Sequence, residues 1–261
     1  MKKGALPVLE IEMLPILDDN YVYLLHEPES GSRAIVDPGD GPPVLAHLKR
    51  TGWRINLILN THRHGDHVAG NLAVKAATGA KVLGPAREAD SIPGIDRPLV
   101  EGDTLQLGSE TARVIETPGH TAGHIAYWFE GAGVLFSGDT LFALGCGRLF
   151  EGDAPTMWGS LQKLAALPPA TRLYCGHEYT QANARFALSI DGNNAALRAR
   201  AAQIDELRRD EKPTIPSTIA DELATNPFLR PNDPSIRRQL GMEKANDVEV
   251  FAEIRRRKDR A

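Results

Sequence analysis

The sequence predicts a layered α/β or α+β domain over residues 1–175, followed by a smaller, mostly helical domain over residues 176–261. Three observations predict it. Short apolar runs bounded by turn residues alternate with helical patterns through the first two-thirds of the chain. After Gly176 the strand signals stop, and three helical patterns follow. A proline-rich piece from Pro213 to Pro234 reads as an irregular connector.

In chain order, strands are expected at Val8–Leu14, Tyr21–Leu25, Arg33–Val36, Asn56–Leu59, Lys81–Leu83, Arg113–Glu116, Ile125–Phe129, Val134–Phe136 and Arg172–Tyr174. Helices are expected at Pro43–Thr51, stopped by Gly52, at Gly70–Thr78, stopped by Gly79, and at Pro155–Ala166. The later helices are Tyr179–Ser189, Asn194–Arg209 and Asp247–Arg257. The chain has 261 residues, 42% of them hydrophobic and 25% charged, enough for one large core or a main domain with a second attached.

Composition also limits function. A net charge of −4 argues against a general nucleic-acid binder, which shows as a basic domain. The start, Met1–Pro7, has a signal peptide's charged end, but Glu10 and Glu12 interrupt any apolar core. No run approaches the roughly 20 apolar residues of a membrane span. Two cysteines, Cys146 and Cys175, make no disulfide framework and read as reduced, small buried residues, with no activating base beside either. The expectation is a cytoplasmic monomer acting on a small molecule, without nucleic-acid or membrane partners.

The strongest local signal is Thr61-His62-Arg63-His64-Gly65-Asp66-His67, directly after the apolar run Ile55–Asn60. It falls where scaffolds carry functional loops, at a strand's end. Three imidazoles and a carboxylate this close cannot all enter a core without severe desolvation. Wrapped around cations they fit, with His62 and His64 on one ion and Asp66 and His67 on a neighbour. The alternative is a solvated loop that happens to be histidine-rich. Three further sites weigh against that alternative. Arg113–Glu116 leads into Thr117-Pro118-Gly119-His120, Val134–Phe136 into Ser137-Gly138-Asp139, and Leu173–Cys175 into Gly176-His177. Each is a short strand, a glycine and a metal-ligating residue. His62, His64, Asp66, His67, His120, Asp139 and His177 exceed one tetrahedral zinc and suit two divalent ions, with Asp139 bridging through one oxygen to each. Zinc is the first expectation, and iron and manganese accept the same donors. His124 reads as an outer partner or a packed ring, and His26 and His47 as structural or solvent-facing.

These motifs resemble the metallo-β-lactamase superfamily and, within it, the glyoxalase II or hydroxyacylglutathione hydrolase family. The resemblance runs from Leu17-Asp18-Asp19-Asn20-Tyr21 through the metal motifs to Leu141–Gly152, with its Gly145-Cys146-Gly147 loop. It continues through Cys175–Thr180, Pro213–Thr218, Asn226-Pro227-Phe228-Leu229-Arg230 and Arg255–Asp259. It implies an α+β, four-layer αβ/βα sandwich with a helical C-terminal domain, and hydrolysis of S-D-lactoylglutathione to D-lactate and glutathione. It also implies that Arg148, Phe150, Tyr179, Arg255 and Lys258 hold the glutathione moiety. Arg148 stands where lysine is common, and Phe150 where tyrosine often stands, so a hydroxyl is lost there. Arg255 and Lys258, three apart on a helix, share a face that would suit glutathione's carboxylates.

Two metals lower the pKa of bound water, to about 7 on zinc, which suits hydrolysis without a serine or cysteine nucleophile. Asp66 and Asp139 are the expected catalytic carboxylates, Asp66 orienting the attacking water. The leaving thiolate, of reference pKa about 8.5, departs without a strong general acid. A persulfide dioxygenase shares the metal motifs but generally lacks the long helical C-terminus. A nuclease would favour a broad basic surface. A lactonase shares only the metal pattern, and a non-catalytic metal-binding module has no need of seven converging ligands.

Overall fold

The computed structural model describes residues 8–261, so the charged start at Met1–Pro7 lies outside the described residues. The chain forms two compact units. The first runs to Glu116 and resumes over Gly123–Gly138; the second comprises Thr117–Ala122 and Asp139–Ala261.

In the first unit, one sheet has the order β1 (Glu10–Ile16), β2 (Asn20–His26), β3 (Arg33–Val36), β4 (Leu57–Leu59), β5 (Lys81–Pro85) and β6 (Ile95–Leu99). β1, β2 and β3 pair antiparallel, and β3 to β6 pair parallel. Parallel pairing requires crossovers. They are α1 (Gly41–Thr51) between β3 and β4, α2 (Gly65–Val68) with α3 (Asn71–Thr78) between β4 and β5, and a 3-10 turn (Ala86–Ser91) between β5 and β6. Parallel strands are covered on both faces, hence the unbroken apolar stretches Ala34-Ile35-Val36 and Ile58-Leu59, all buried. Val44 and Leu48 of α1 and Val74 of α3 pack onto Leu24, Ile35, Ile58 and Val82. Gly52 and Gly79 stop these helices in the left-handed conformation, φ 70° and 74°.

The unit's other strands are β7 (Thr104–Leu107), β8 (Glu110–Glu116), β9 (Ile125–Phe129) and β10 (Val134–Gly138), paired antiparallel in that order. They stack on the first sheet. Tyr127 of β9 donates its hydroxyl to the Asn60 carbonyl at 2.8 Å, and the Tyr23 and Phe136 rings lie 5.3 Å apart. Helix, sheet and sheet are thus three of the expected layers. β6 and β7 do not stand out in the sequence. β6 is Ile-Asp-Arg-Pro-Leu, and Pro98 with exposed charges is what an edge strand tolerates.

A buried carboxylate ties the β2–β3 turn to the β7–β8 turn. Glu27 accepts hydrogen bonds from Glu29 N, Ser30 N, Ser30 Oγ and, on the β7–β8 turn, Ser109 N. The Ser30 hydroxyl above all, with these backbone donors, holds its carboxyl at about 2 against an ordinary 4.5. The folded pKa is depressed, so the contribution to stability is fully present above pH 4.5 and is lost as pH falls toward about 2. Glu27→Gln is expected to lower the urea midpoint at pH 7, with the difference from the parent shrinking steadily between pH 4.5 and 2. A difference that stays constant over that range would show that Glu27 does not titrate this way.

The second unit opens with a hairpin of β11 (Leu141–Phe142) and β12 (Gly145–Cys146), followed by α4 (Ala154–Ala165). β13 (Arg172–Cys175) pairs antiparallel with β14 (Ser217–Thr218). The remaining helices are α5 (Thr180–Asp191), α6 (Ala195–Arg209), α7 (Ile219–Thr225), α8 (Pro234–Leu240) and α9 (Asp247–Lys258). Leu144, Ala184, Ala187, Leu197, Ala201 and Ile204 form one core, and the Phe228 ring sits between Phe186 and Phe251. Asn246 and Glu249 close a reciprocal cap at the start of α9.

The proline-rich connector is a correction: Pro213–Pro234 contains β14, α7 and a 3-10 turn at Pro227–Leu229. Thr218 caps α7 by accepting from Asp221 N, with Asp221 and Glu222 in the first turn. The prolines delimit these elements rather than exclude them. β14 likewise shows that strand pairing continues beyond Gly176.

Candidate active site

In the first unit, the residues after β4 are held by the end of β3. Asp37, at φ 51°, is buried, and its Oδ1 accepts from Thr61 N at 2.8 Å. Its Oδ2 accepts from Thr61 Oγ1 at 2.7 Å and faces His67 Nδ1 at 3.1 Å. A carboxylate accepts only, so His67 Nδ1 is the donor to Asp37 and Nε2 is turned away from it. Thr61 Oγ1 spends its hydrogen on Asp37 and therefore accepts from His62 Nδ1, 3.0 Å away, which makes Nδ1 the donor on His62 as well. Asn20 Nδ2 donates to Asp66 Oδ2 at 2.9 Å. Glu88, from the 3-10 turn Ala86–Ser91, accepts from Arg63 N and Gly123 N, both at 2.8 Å. His124 is buried and stacks on His62 at 4.9 Å.

The distances among the expected donors fit metal ligation. Two nitrogens bound to one tetrahedral ion at about 2.0–2.1 Å lie roughly 3.3 Å apart. His62 Nε2 and His64 Nδ1 are 3.1 Å apart, and His67 Nε2 and Asp66 Oδ2 are 3.3 Å apart. In the second unit, Asp139 Oδ2 lies 3.4 Å from His120 Nε2 and 3.3 Å from His177 Nε2. His120 Nδ1 donates to the Arg148 carbonyl at 2.9 Å, again leaving Nε2 outward. The sequence suggests one Asp139 oxygen for each ion; here a single oxygen, Oδ2, faces both histidines.

The fold and this donor set have close relatives. Residues 16–177 match the family model for the metallo-β-lactamase superfamily, and residues 178–261 match that for the hydroxyacylglutathione hydrolase C-terminus. The hydroxyacylglutathione hydrolase of Methylococcus capsulatus is 59% identical across 97% of this chain and 98% of its own length. That of Mesorhizobium japonicum is 57% identical across 96% and 98%. The chain belongs to the hydroxyacylglutathione hydrolase family. Among solved structures, the BLEG-1 B3 metallo-β-lactamase superposes with a TM-score of 0.66 at 25% identity, covering 85% of this chain and all of that one. TTHA1623 in a di-iron-bound form gives 0.59 at 29% identity, covering 84% and 100%. The fold is therefore the metallo-β-lactamase sandwich, and the two family models meet at 177/178.

The other residues expected from hydroxyacylglutathione hydrolases all fall in the second unit. Phe150 is 59% exposed, with its ring 5.2 Å from His120. Tyr179 stacks almost parallel on His177 at 4.7 Å. Arg148 is exposed, 5.9 Å over the Phe150 ring, with Nε 3.6 Å from Asp259 Oδ1. Lys258 lies over Phe186 at 5.3 Å; burial first, and then the Arg255 charge, holds its ammonium below the usual lysine range. Arg255 differs from these. It is buried, Nη1 donates to the Cys146 carbonyl at 2.8 Å, and Nε and Nη2 both donate to Asp259 Oδ1.

Cys146 and Cys175 are free and buried. Burial pushes their thiols up to about 11 and about 12, which leaves neither as a nucleophile at neutral pH. Among the described residues no helix is long and apolar enough to cross a membrane. Asp37, Asn20 and Glu88 have roles the sequence did not announce. Like the metal motifs, Asp37 directly follows a short strand, but its glycine, Gly39, comes after it rather than before.

Proposed function

We propose that this chain hydrolyses S-D-lactoylglutathione and related 2-hydroxyacyl glutathione thioesters to the hydroxy acid and glutathione, as in methylglyoxal detoxification. The observation that carries the reading is Asp139 Oδ2 facing the outward nitrogens of both His120 and His177, in a chain of this family. His62, His64 and His120 would hold one divalent ion, Asp66, His67 and His177 a second, and Asp139 would belong to both. Nitrogen and oxygen donors point first to zinc, with iron or manganese sharing the same chemistry; a di-iron form of the related TTHA1623 supports a pair. Bound there, the pair supplies a water of lowered pKa and stabilises charge on the thioester oxygen.

The chain's own residues do the rest. Asp37 and Thr61 hold the His67 and His62 rings by Nδ1, leaving Nε2 outward. Asp66, held by Asn20, would orient the attacking water through its carboxylate. Phe150 and Tyr179 would give the substrate an apolar surface beside His120 and His177. Arg148 and Lys258 would attract the glutathione carboxylates, and Arg255 would support them through Asp259 and Cys146.

Metal analysis beside a free-thiol assay tests this. The purified protein is expected to carry a pair of divalent ions and to release thiol from S-D-lactoylglutathione. Chelation should stop release, and added zinc should restore it. Metal-loaded protein that releases no thiol would overturn the substrate, and release undiminished after chelation would overturn the metal role.

A further inference from the structure

The β11–β12 hairpin is built almost entirely from outside itself. Its own pairing is two residues on each side, Leu141 with Cys146 and Phe142 with Gly145. Leu144, at its tip, has φ 58°, a left-handed conformation that a branched side chain rarely adopts. Side chains from later in the chain hold the remaining backbone groups. Asn226 Nδ2 donates to the Phe142 and Gly145 carbonyls at 3.3 and 3.0 Å. Asn183 Nδ2 donates to the Ala143 carbonyl at 3.1 Å. Glu222 Oε2 accepts from Leu144 N at 2.8 Å, and Arg255 donates to the Cys146 carbonyl.

These holders are themselves fixed. Glu222 is fully buried; its Oε1 accepts from Arg200 Nη2 and Ser217 Oγ, both at 2.5 Å, and its Oε2 from Asn226 Nδ2 at 3.0 Å. Asn226 Oδ1 accepts from Phe228 N, so its amide orientation is set. A fully partnered buried network of this kind specifies one geometry. The hairpin then presses on the site. Gly147 N donates to the Thr140 carbonyl, and a Cβ on Gly147 would lie 1.9 Å from the Asp139 carbonyl oxygen and 3.3 Å from His120 Cβ. Arg148 and Phe150 follow directly.

We infer that Asn226 and Glu222, with Asn183, are positioning residues for thioester hydrolysis: they template the Leu141–Gly147 hairpin and so place Arg148, Phe150 and the Asp139 backbone. None of them is among the residues expected to hold the substrate. The inference rests on the proposed glutathione thioester activity, and it explains why the C-terminal segment is tied to the site by side chain-to-backbone bonds.

The test is Asn226→Asp, nearly isosteric, which keeps the acceptor for Phe228 N but turns a carboxylate oxygen toward the Phe142 and Gly145 carbonyls. Kinetics are read on S-D-lactoylglutathione and on a lactoyl thioester of a small thiol lacking the tripeptide. The expected result is a kcat/KM loss at least about tenfold greater for the glutathione substrate, carried mainly by KM, in protein whose metal content matches the parent. Glu222→Gln should behave alike. Equal losses on both substrates, following the fraction unfolded, would make the network merely structural and overturn the inference. If Asn226→Asp does not fold, the same ratio on Asn183→Ala, which removes only the Ala143 bond, decides: about threefold or more supports the inference and no change overturns it. Failure of the parent protein to release thiol would instead overturn the proposed function.

Discussion

Asp139→Ala is expected to lose bound metal and thioester hydrolysis together. Asp139 is buried, and its Oδ2 faces two of the expected ligands, His120 and His177. Outer partners of metal ligands cost roughly 10–100-fold when removed, and a shared inner carboxylate should exceed that range. Fewer than two ions per chain should remain by elemental analysis, with far-UV circular dichroism unchanged. Asp139→Asn keeps the shape but replaces an anionic ligand with a neutral amide, and should recover little. Full metal content with parental kcat/KM in either variant would remove Asp139 from the site.

Gly39→Ala should be nearly as damaging through packing alone. A Cβ at Gly39 would lie 1.7 Å from the Asp66 carbonyl oxygen and 2.4 Å from its carbon, both main-chain atoms. The metal loop must move to admit one methyl group. Overpacking of this severity costs about 3 kcal/mol or more, a fall in Tm of roughly 6–12 °C for a chain of this size. Metal affinity should weaken by roughly 10–100-fold, because Asp66 and His67 move with the backbone. Gly65→Ala, in the same loop, meets nothing within 4 Å and should leave stability within about 0.5 kcal/mol. Similar losses from both would point to loop flexibility rather than to the Gly39 overlap.

The expected donor residues stand out in the sequence because strand-end ligands leave a local signature. A few apolar residues, a glycine and a histidine or aspartate recur at Gly119-His120, Gly138-Asp139 and Gly176-His177. Asp37 lacks that form, since its glycine follows it, and its role depends on Thr61 and His67, up to 30 residues away. α7 was hidden by Pro213 and Pro216, although Thr218 followed by Asp221 and Glu222 is a recognisable cap. Arg255 is the instructive case. Helical spacing correctly puts it near Lys258, but its burial depends on Cys146, 109 residues earlier, which no local pattern encodes. The compact units are similarly invisible. The texture of the sequence changes at Gly176, whereas the second unit already begins its main stretch at Asp139, because the hairpin packs with Asn183 and Asn226.

The two buried thiols have a consequence for an enzyme whose product is itself a thiol. Burial of Cys146 and Cys175 strongly disfavours the thiolate form of both. Disulfide exchange proceeds through the thiolate and needs access. Buried and held as thiols, Cys146 and Cys175 are expected to react slowly with oxidised glutathione, the disulfide of the thiol this enzyme releases.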